Sequence, residues 1–250
     1  MAAFAFALAT SAALRVASLD LCADEYLLLL ARPEQIAAVS RLSHDAAETP
    51  LWKAARAHVA HSGRIEGLLS VRPTLLLSVG TPGGRSTLSL ARKLGMGVLA
   101  LPFPSSADEV MANLVRVAAA LGRPASARPW LDRFARLKAN RPPARDAAFV
   151  SAGGFSVDAK GLNAGWMALA GFRQRQLAGG RITLEQLALD PPSVLLRSNY
   201  RSGQVSLAQR WLDHPLLRKA RTHMVITDGR PWTCGGPLMI AEIERLRGLR

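Results

Sequence analysis

No apolar run in this 250-residue chain reaches the roughly 18 residues that a membrane-spanning helix needs. Histidine is sparse. His44, His58, His61, His214 and His223 are the whole complement, and none stands in an H-E-x-x-H pattern. There is no G-x-S-x-G nucleophile elbow, no G-x-G-x-x-G and no G-x-x-x-x-G-K-[ST]. Hydrolase and nucleotide-binding chemistry therefore have no motif to rest on. Lysine is confined to Lys53, Lys93, Lys138, Lys160 and Lys219, so the formal charge of +14 is mostly an arginine charge. It is spread along the chain with no run of five or six, whereas a nucleic-acid binder clusters its basic residues. What remains is a general preference for anionic ligands or surfaces. Cysteine occurs twice, at Cys22 and Cys234.

What the chain does have is an internal repeat. Residues 65–77 read IEGLLSVRPTLLL and residues 184–196 read LEQLALDPPSVLL. Glu66 meets Glu185, Leu68 meets Leu187 and Pro73 meets Pro192, all at one offset, 185 − 66 = 119, with no gap. A second echo, Ser89-Leu90-Ala91 with Ser206-Leu207-Ala208, stands at an offset of 117. Between the two copies, Pro124 to Asn140 reads as one helix, with Trp130, Leu131, Phe134 and Leu137 at helical spacing. Pro124 suits a first helical turn, Pro129 delays or kinks the start, and Arg141-Pro142-Pro143 stops the pattern. The 49% hydrophobic share allows each half its own core. The expectation is α/β: two similar Rossmann-like lobes with mainly parallel sheets, residues 14–122 and 142–250, bridged by one long helix over 123–141.

In chain order, Met1 to Ala13 is apolar and small, like the h-region and cleavage zone of a secretory signal peptide, although the basic n-region is missing. Strands are expected at 15–19, 36–40, 74–79 and 98–101, then at 147–151, 194–197 and 224–227. Helices are expected at about 20–31, 51–58, 66–71, 86–94 and 106–121, and then at 165–171, 185–188, 205–211 and 238–246. Ser106 with Glu109 reads as a capping box. Ligands in open parallel sheets sit beyond the carboxyl ends of the strands, so the loops leaving those strands are the place to look. These loops include Arg41–Asp45, Gly80–Arg85, Gly153–Phe155, Ser198–Gly203 and Pro231–Pro237.

SLDLCADEYLLLL near the start, the I-E-x-L-L-x-x-R-P-x-L-L-L segment, the central helix and WTCGGP near the end resemble, in order and spacing, the periplasmic substrate-binding proteins of bacterial ABC importers. The branch they look like serves cobalamin, ferric siderophores and haem. The resemblance runs from about Leu14 to the C-terminus. It implies two lobes bridged by a rigid helix, no catalysis, and delivery of a metal chelate from the cleft to a permease dimer. It also implies a monomer that works in the periplasm, with no nucleic-acid partner and contact with the membrane only through the permease. Glu66 and Glu185 match the positions at which relatives dock, one carboxylate per lobe, into arginine-containing permease pockets. First-turn glutamates are equally what a helix dipole favours.

For the cleft itself, Phe155, Trp166, Tyr200 and Trp232 lie in or after second-lobe exit loops and offer aromatic faces to a large ring. Trp166 also suits a core position. Arg85 and Arg201 occupy equivalent loops of the two lobes and suit the carboxylates or phosphate of an anionic chelate. Cys22 and Cys234 stand in the first and last exit loops. A disulfide tying the lobes and two free thiols are both compatible with the sequence. No metal ligand set for a bare ion is evident, since the second-lobe loops offer only Asn199 and Asp158. His44 and Tyr200 remain as ligands to an already chelated iron. The alternative to a binding protein is a two-lobed α/β enzyme acting on an anionic substrate, which requires a convergent acid, base or nucleophile in the cleft.

Overall fold

The computed structural model describes residues 13–80, 85–201, 203–215, 217 and 222–249. The expected signal segment therefore lies outside the described residues except for Ala13. So does most of the glycine-rich 80–84 loop, and so does the side chain of Arg85.

Two wholly parallel sheets carry the fold. The first contains β1 (Val16–Ser18), β2 (Ile36–Ser40), β3 (Ala60–His61), β4 (Leu75–Val79) and β5 (Gly97–Leu101) in the order β3-β2-β1-β4-β5. The second contains β6 (Arg145–Val150), β7 (Phe172–Gln174), β8 (Val194–Ser198) and β9 (His223–Thr227) in the order β7-β6-β8-β9. The order reverses between β1 and β4 and again between β6 and β8, and such switch points open a crevice at the strand ends. Asp20 clamps the first of them. One carboxylate oxygen caps α1 (Leu21–Leu30) by accepting the Ala23 N–H at 2.8 Å, and the other accepts the Val79 N–H at 3.0 Å.

The 119-residue repeat is structural. The helices α3 (Ile65–Ser70) and α8 (Leu184–Leu189) are both six residues long, and β4 and β8 follow at the same offset, 194 − 75 = 119. Leu68 and Leu76 belong to a core cluster on the outer face of the first sheet, and their counterparts Leu187 and Leu195 to the equivalent cluster of the second. Each such leucine contributes about 1.5–3 kcal/mol on burial. The second echo fails, because Ser206 is the N-cap of α9 (Leu207–Leu212) whereas Ser89 lies in the middle of α4 (Arg85–Lys93).

The connection between the sheets differs from a single helix over 123–141. A 14-residue helix, α5 (Ala107–Ala120), packs against α1 of the first unit and against α7 (Leu162–Leu169) of the second. Ser106 caps it by accepting the Glu109 N–H, but the Glu109 carboxylate turns back to Ser105 rather than Ser106. A 3-10 turn over Pro124–Ala127 follows. The second helix, α6 (Arg128–Ala139), begins only where Pro129, having no N–H to offer, fits the first turn. It lies against the C-terminal helix α11 (Met239–Gly248), after the short helix α10 (Arg230–Cys234), and Arg133 pairs with Glu244 at 2.5 Å. The bridge thus starts at Ala107, and α6 packs on the second unit. One core cluster runs from Val16 and Leu77 through Val110, Leu114 and Val117 to Phe149, Trp166 and Trp232.

Two further differences are local. The helix expected over 51–58 is a single turn, α2 (Trp52–Ala55), and an unexpected two-residue strand, β3, follows and carries His61. Its ring is buried, donating from Nε2 to Ser18 O and accepting the Gly63 N–H on Nδ1, and burial lowers its pKa.

Candidate ligand cleft

The strand-exit loops of the two units face each other, and among the described residues four links hold them. The first is a disulfide. Cys22, on the first turn of α1, is bonded to Cys234 at the end of α10, with Cα atoms 5.3 Å apart. The second is Glu25, one turn further along α1. Its buried carboxylate accepts the backbone N–H of Leu238, just ahead of α11. Gly236 passes so close that a Cβ there would lie 2.8 Å from a Glu25 carboxylate oxygen. Burial, only partly offset by the Leu238 hydrogen bond, pushes the Glu25 pKa up to about 8. The third link is an ion pair from Glu48 to Arg201, accompanied by a 2.7 Å hydrogen bond from the Tyr200 hydroxyl to the other Glu48 oxygen. The fourth is Arg230, which pairs with Asp228 at 2.7 Å and donates to the Ala46 carbonyl at 2.9 Å.

Both sides of the third link are built from below. Asp24 is buried and accepts from the hydroxyls of Ser18, Ser40 and Ser43 and from the Ser40 N–H, fixing the exit of β2 from which Glu48 follows. Burial raises its pKa to about 6 against those hydrogen bonds. Across the cleft, Gln209 on α9 donates to the carbonyls of Tyr200 and Arg201 at 3.1 and 3.3 Å. Gly229 lies under the same turn, where a Cβ would come within 2.4 Å of the Tyr200 Cβ. Arg201 has φ +51°, a left-handed backbone that costs a non-glycine residue about 1–2 kcal/mol. Burial raises the Tyr200 pKa, and the hydrogen bond to Glu48 adds to the rise.

The residues expected from the sequence divide sharply. Tyr200 and Arg201 are at the cleft, already joined to Glu48. Phe155 is half exposed at the exit of β6, with the Arg181 guanidinium stacked 3.9 Å from its ring centre. Trp166 and Trp232 are not ligand-facing. Trp166 is wholly buried, donates its indole N–H to Gly235 O at 2.8 Å and meets Phe134 edge-on. Trp232 is buried against Phe149 and donates to the Thr227 hydroxyl at 2.7 Å. Both are large apolar side chains claimed by the core that joins the two units. Glu66 and Glu185 are exposed on the first turns of α3 and α8. His44 places Nε2 3.1 Å from the His58 carbonyl. Asp158 accepts the Lys160 N–H, and the Asn199 side chain is exposed. Among the described residues, no three His, Cys, Asp or Glu side chains gather to hold a bare metal ion.

Glu48, Arg230 and a set of exposed apolar residues at the strand exits carry no motif that marks them in the sequence. Phe103 is 52% exposed after β5, while Val205 and Leu207 are 97% and 82% exposed after β8. Large apolar side chains left in water after the ends of sheet strands are a signal that exposure gives and composition does not. A cavity of about 780 Å³ also runs from Ala46 and Ala47 past Arg201 and Arg230 along β9, the outermost described strand of the second sheet on that side.

Solved structures share this fold. The chain is similar to the periplasmic haem-binding protein HutB of Vibrio cholerae, at 20% identity and a TM-score of 0.73, over 94% of this chain and 98% of that one. It is similar to the periplasmic haem-binding protein BhuT, solved with two haems, at 20% identity and 0.72 over 94% and 96%. It is also similar to the periplasmic haem-binding protein RhuT from Roseiflexus, at 19% identity and 0.70 over 94% and 97%. The chain has the fold of these periplasmic binding proteins. No protein-family model matches the chain, and no curated protein matches it.

Proposed function

We propose that the protein is an extracytoplasmic solute-binding protein that captures a metal chelate between its two units and delivers it to an ABC permease dimer, without turnover. The observation that carries this reading is the meeting of the exit loops of two repeated parallel sheets across a cleft, in a chain that aligns over 94% of its length with chelate-binding proteins of the same fold. The segments after β5, β6 and β8 leave Phe103, Phe155, Val205 and Leu207 exposed, which supports a broad apolar face for the chelate, and arginine suits an anionic edge. The three neighbours bind haem, which raises haem beside cobalamin and ferric siderophores as the cargo. The Cys22–Cys234 disulfide fits an oxidising compartment and so a periplasmic location reached through a signal peptide. Glu66 and Glu185, related by the repeat and both exposed, present one carboxylate per unit to a permease dimer, with the protein acting as a monomer. Quenching of tryptophan fluorescence by haem, cyanocobalamin and several ferric siderophores tests the reading. Saturation by one of them at low micromolar concentration or below supports it, and no response from any of them with folded protein refutes it.

A further inference from the structure

The link between Glu48 and the Tyr200-Arg201 turn has the chemistry of a filled binding site rather than of a structural ion pair. Glu48 is buried, and its two oxygens are taken by two donors from the other unit, the Tyr200 hydroxyl and the Arg201 Nη2. The guanidinium is nevertheless only half used. Arg201 Nε is buried and has no hydrogen-bond partner among the described residues. A carboxylate on arginine is held best by two parallel N–H donors, and a buried N–H left unmade is costly. Glu48 reaches its partners from a loop of the opposite unit and takes one guanidinium nitrogen. A free carboxylate in the cleft has no such tether and can take Nε and Nη2 together. The turn is meanwhile held by Gln209 and by the close approach of Gly229, so the two donors stay in place when Glu48 leaves.

We infer that Tyr200 and Arg201 form a carboxylate receptor, that Glu48 is its internal occupant in the empty protein, and that a carboxylate of the incoming ligand replaces it. This rests on the binding-protein reading and sharpens it. The cargo is a chelate carrying free carboxylates, such as the propionates of haem or the carboxylates of a ferric hydroxy-acid complex, rather than one whose ring edge carries amides. Displacing Glu48 also removes one of the four links between the units, so capture of the ligand and adjustment of the cleft are one event.

The test titrates haem, ferric citrate and cyanocobalamin into the oxidised wild-type protein, Glu48→Gln and the double variant Glu48→Gln with Arg201→Gln, each first shown to be folded by a thermal melt. Glu48→Ala serves if Glu48→Gln does not fold. The expected result is binding of haem or ferric citrate that tightens about tenfold in Glu48→Gln and loses that gain in the double variant, while cyanocobalamin changes by less than twofold across the series. Binding of a carboxylate chelate that is unchanged or weaker in Glu48→Gln overturns the displacement and leaves the binding-protein reading standing. Tight binding of cyanocobalamin alone overturns the carboxylate class in the same way. No binding of any of the three to any variant overturns both.

Discussion

The indole nitrogen of Trp166 donates to the carbonyl oxygen of Gly235 at 2.8 Å, one residue past Cys234, so a core side chain of α7 fixes the loop that carries half of the inter-unit disulfide. Replacing Trp166 by Phe keeps an aromatic ring but removes the indole N–H and part of the buried volume, so that carbonyl is left unpaired beside a small cavity. The expected loss is about 1–3 kcal/mol of stability, read from urea unfolding, with chelate affinity within about twofold of wild type. A large loss of affinity with unchanged stability would place the ring at the ligand instead.

The disulfide closes a segment with a sequence separation of 212 between Cys22 and Cys234. Removing it through the double variant Cys22→Ser and Cys234→Ser is expected to cost about 2–5 kcal/mol. Small-angle scattering of the same variant should show a larger radius of gyration, because one of the four links across the cleft is gone. An unchanged midpoint of unfolding and an unchanged radius would mean that the noncovalent links suffice.

The buried Glu25 makes stability depend on pH in a predictable direction. Its pKa in the folded protein is about 8, against an ordinary value of 4.5. Between those values the folded state binds more protons than the unfolded one, so stability falls as pH rises and levels off above pH 8. His58 and His61, whose pKa values are lowered by burial, act only below their ordinary 6.5. Between pH 6.5 and 8, Glu25 is therefore expected to give a slope of about 1 kcal/mol per pH unit, and Glu25→Gln is expected to flatten it. A wild-type slope that persists in the variant would assign the effect elsewhere.

Glu66 and Glu185 stand at matching positions of the repeat, on the first turns of α3 and α8 and away from the links across the cleft. Reversing both, Glu66→Lys with Glu185→Lys, should leave chelate affinity within about twofold and thermal stability nearly unchanged, since exposed substitutions usually shift stability by no more than about 0.5 kcal/mol. Uptake by membrane vesicles carrying the cognate permease should be lost. Normal uptake by the double variant would remove these glutamates from the docking surface.

Much of the fold is legible in the sequence because it is local. The constant 119-residue offset places α3 with α8 and β4 with β8, and strands such as Ile36–Ser40 stand out as apolar runs between turns. β3 and β7, two and three residues long, carry too few side chains to show a period. The part α5 plays in joining the units is not legible, because Val110, Leu114 and Val117 read as an ordinary amphipathic face, and only packing shows that the face touches both units. The site was harder. A tryptophan beside a glycine-rich loop looks the same whether it faces a ligand or the core, and burial alone decided Trp166 and Trp232. Glu48 meets Tyr200 across 152 residues of sequence, and nothing local to LSHDAAETP marks it as the partner.

The central claim is capture of an intact metal chelate by one chain, and native mass spectrometry of the oxidised protein mixed with haem, ferric citrate and cyanocobalamin tests it most directly. The account predicts a one-to-one adduct with one of these chelates, which is released with unchanged mass when the complex is dissociated in the gas phase. A chain that forms no adduct with any of them, or that releases a chemically altered product, would contradict it.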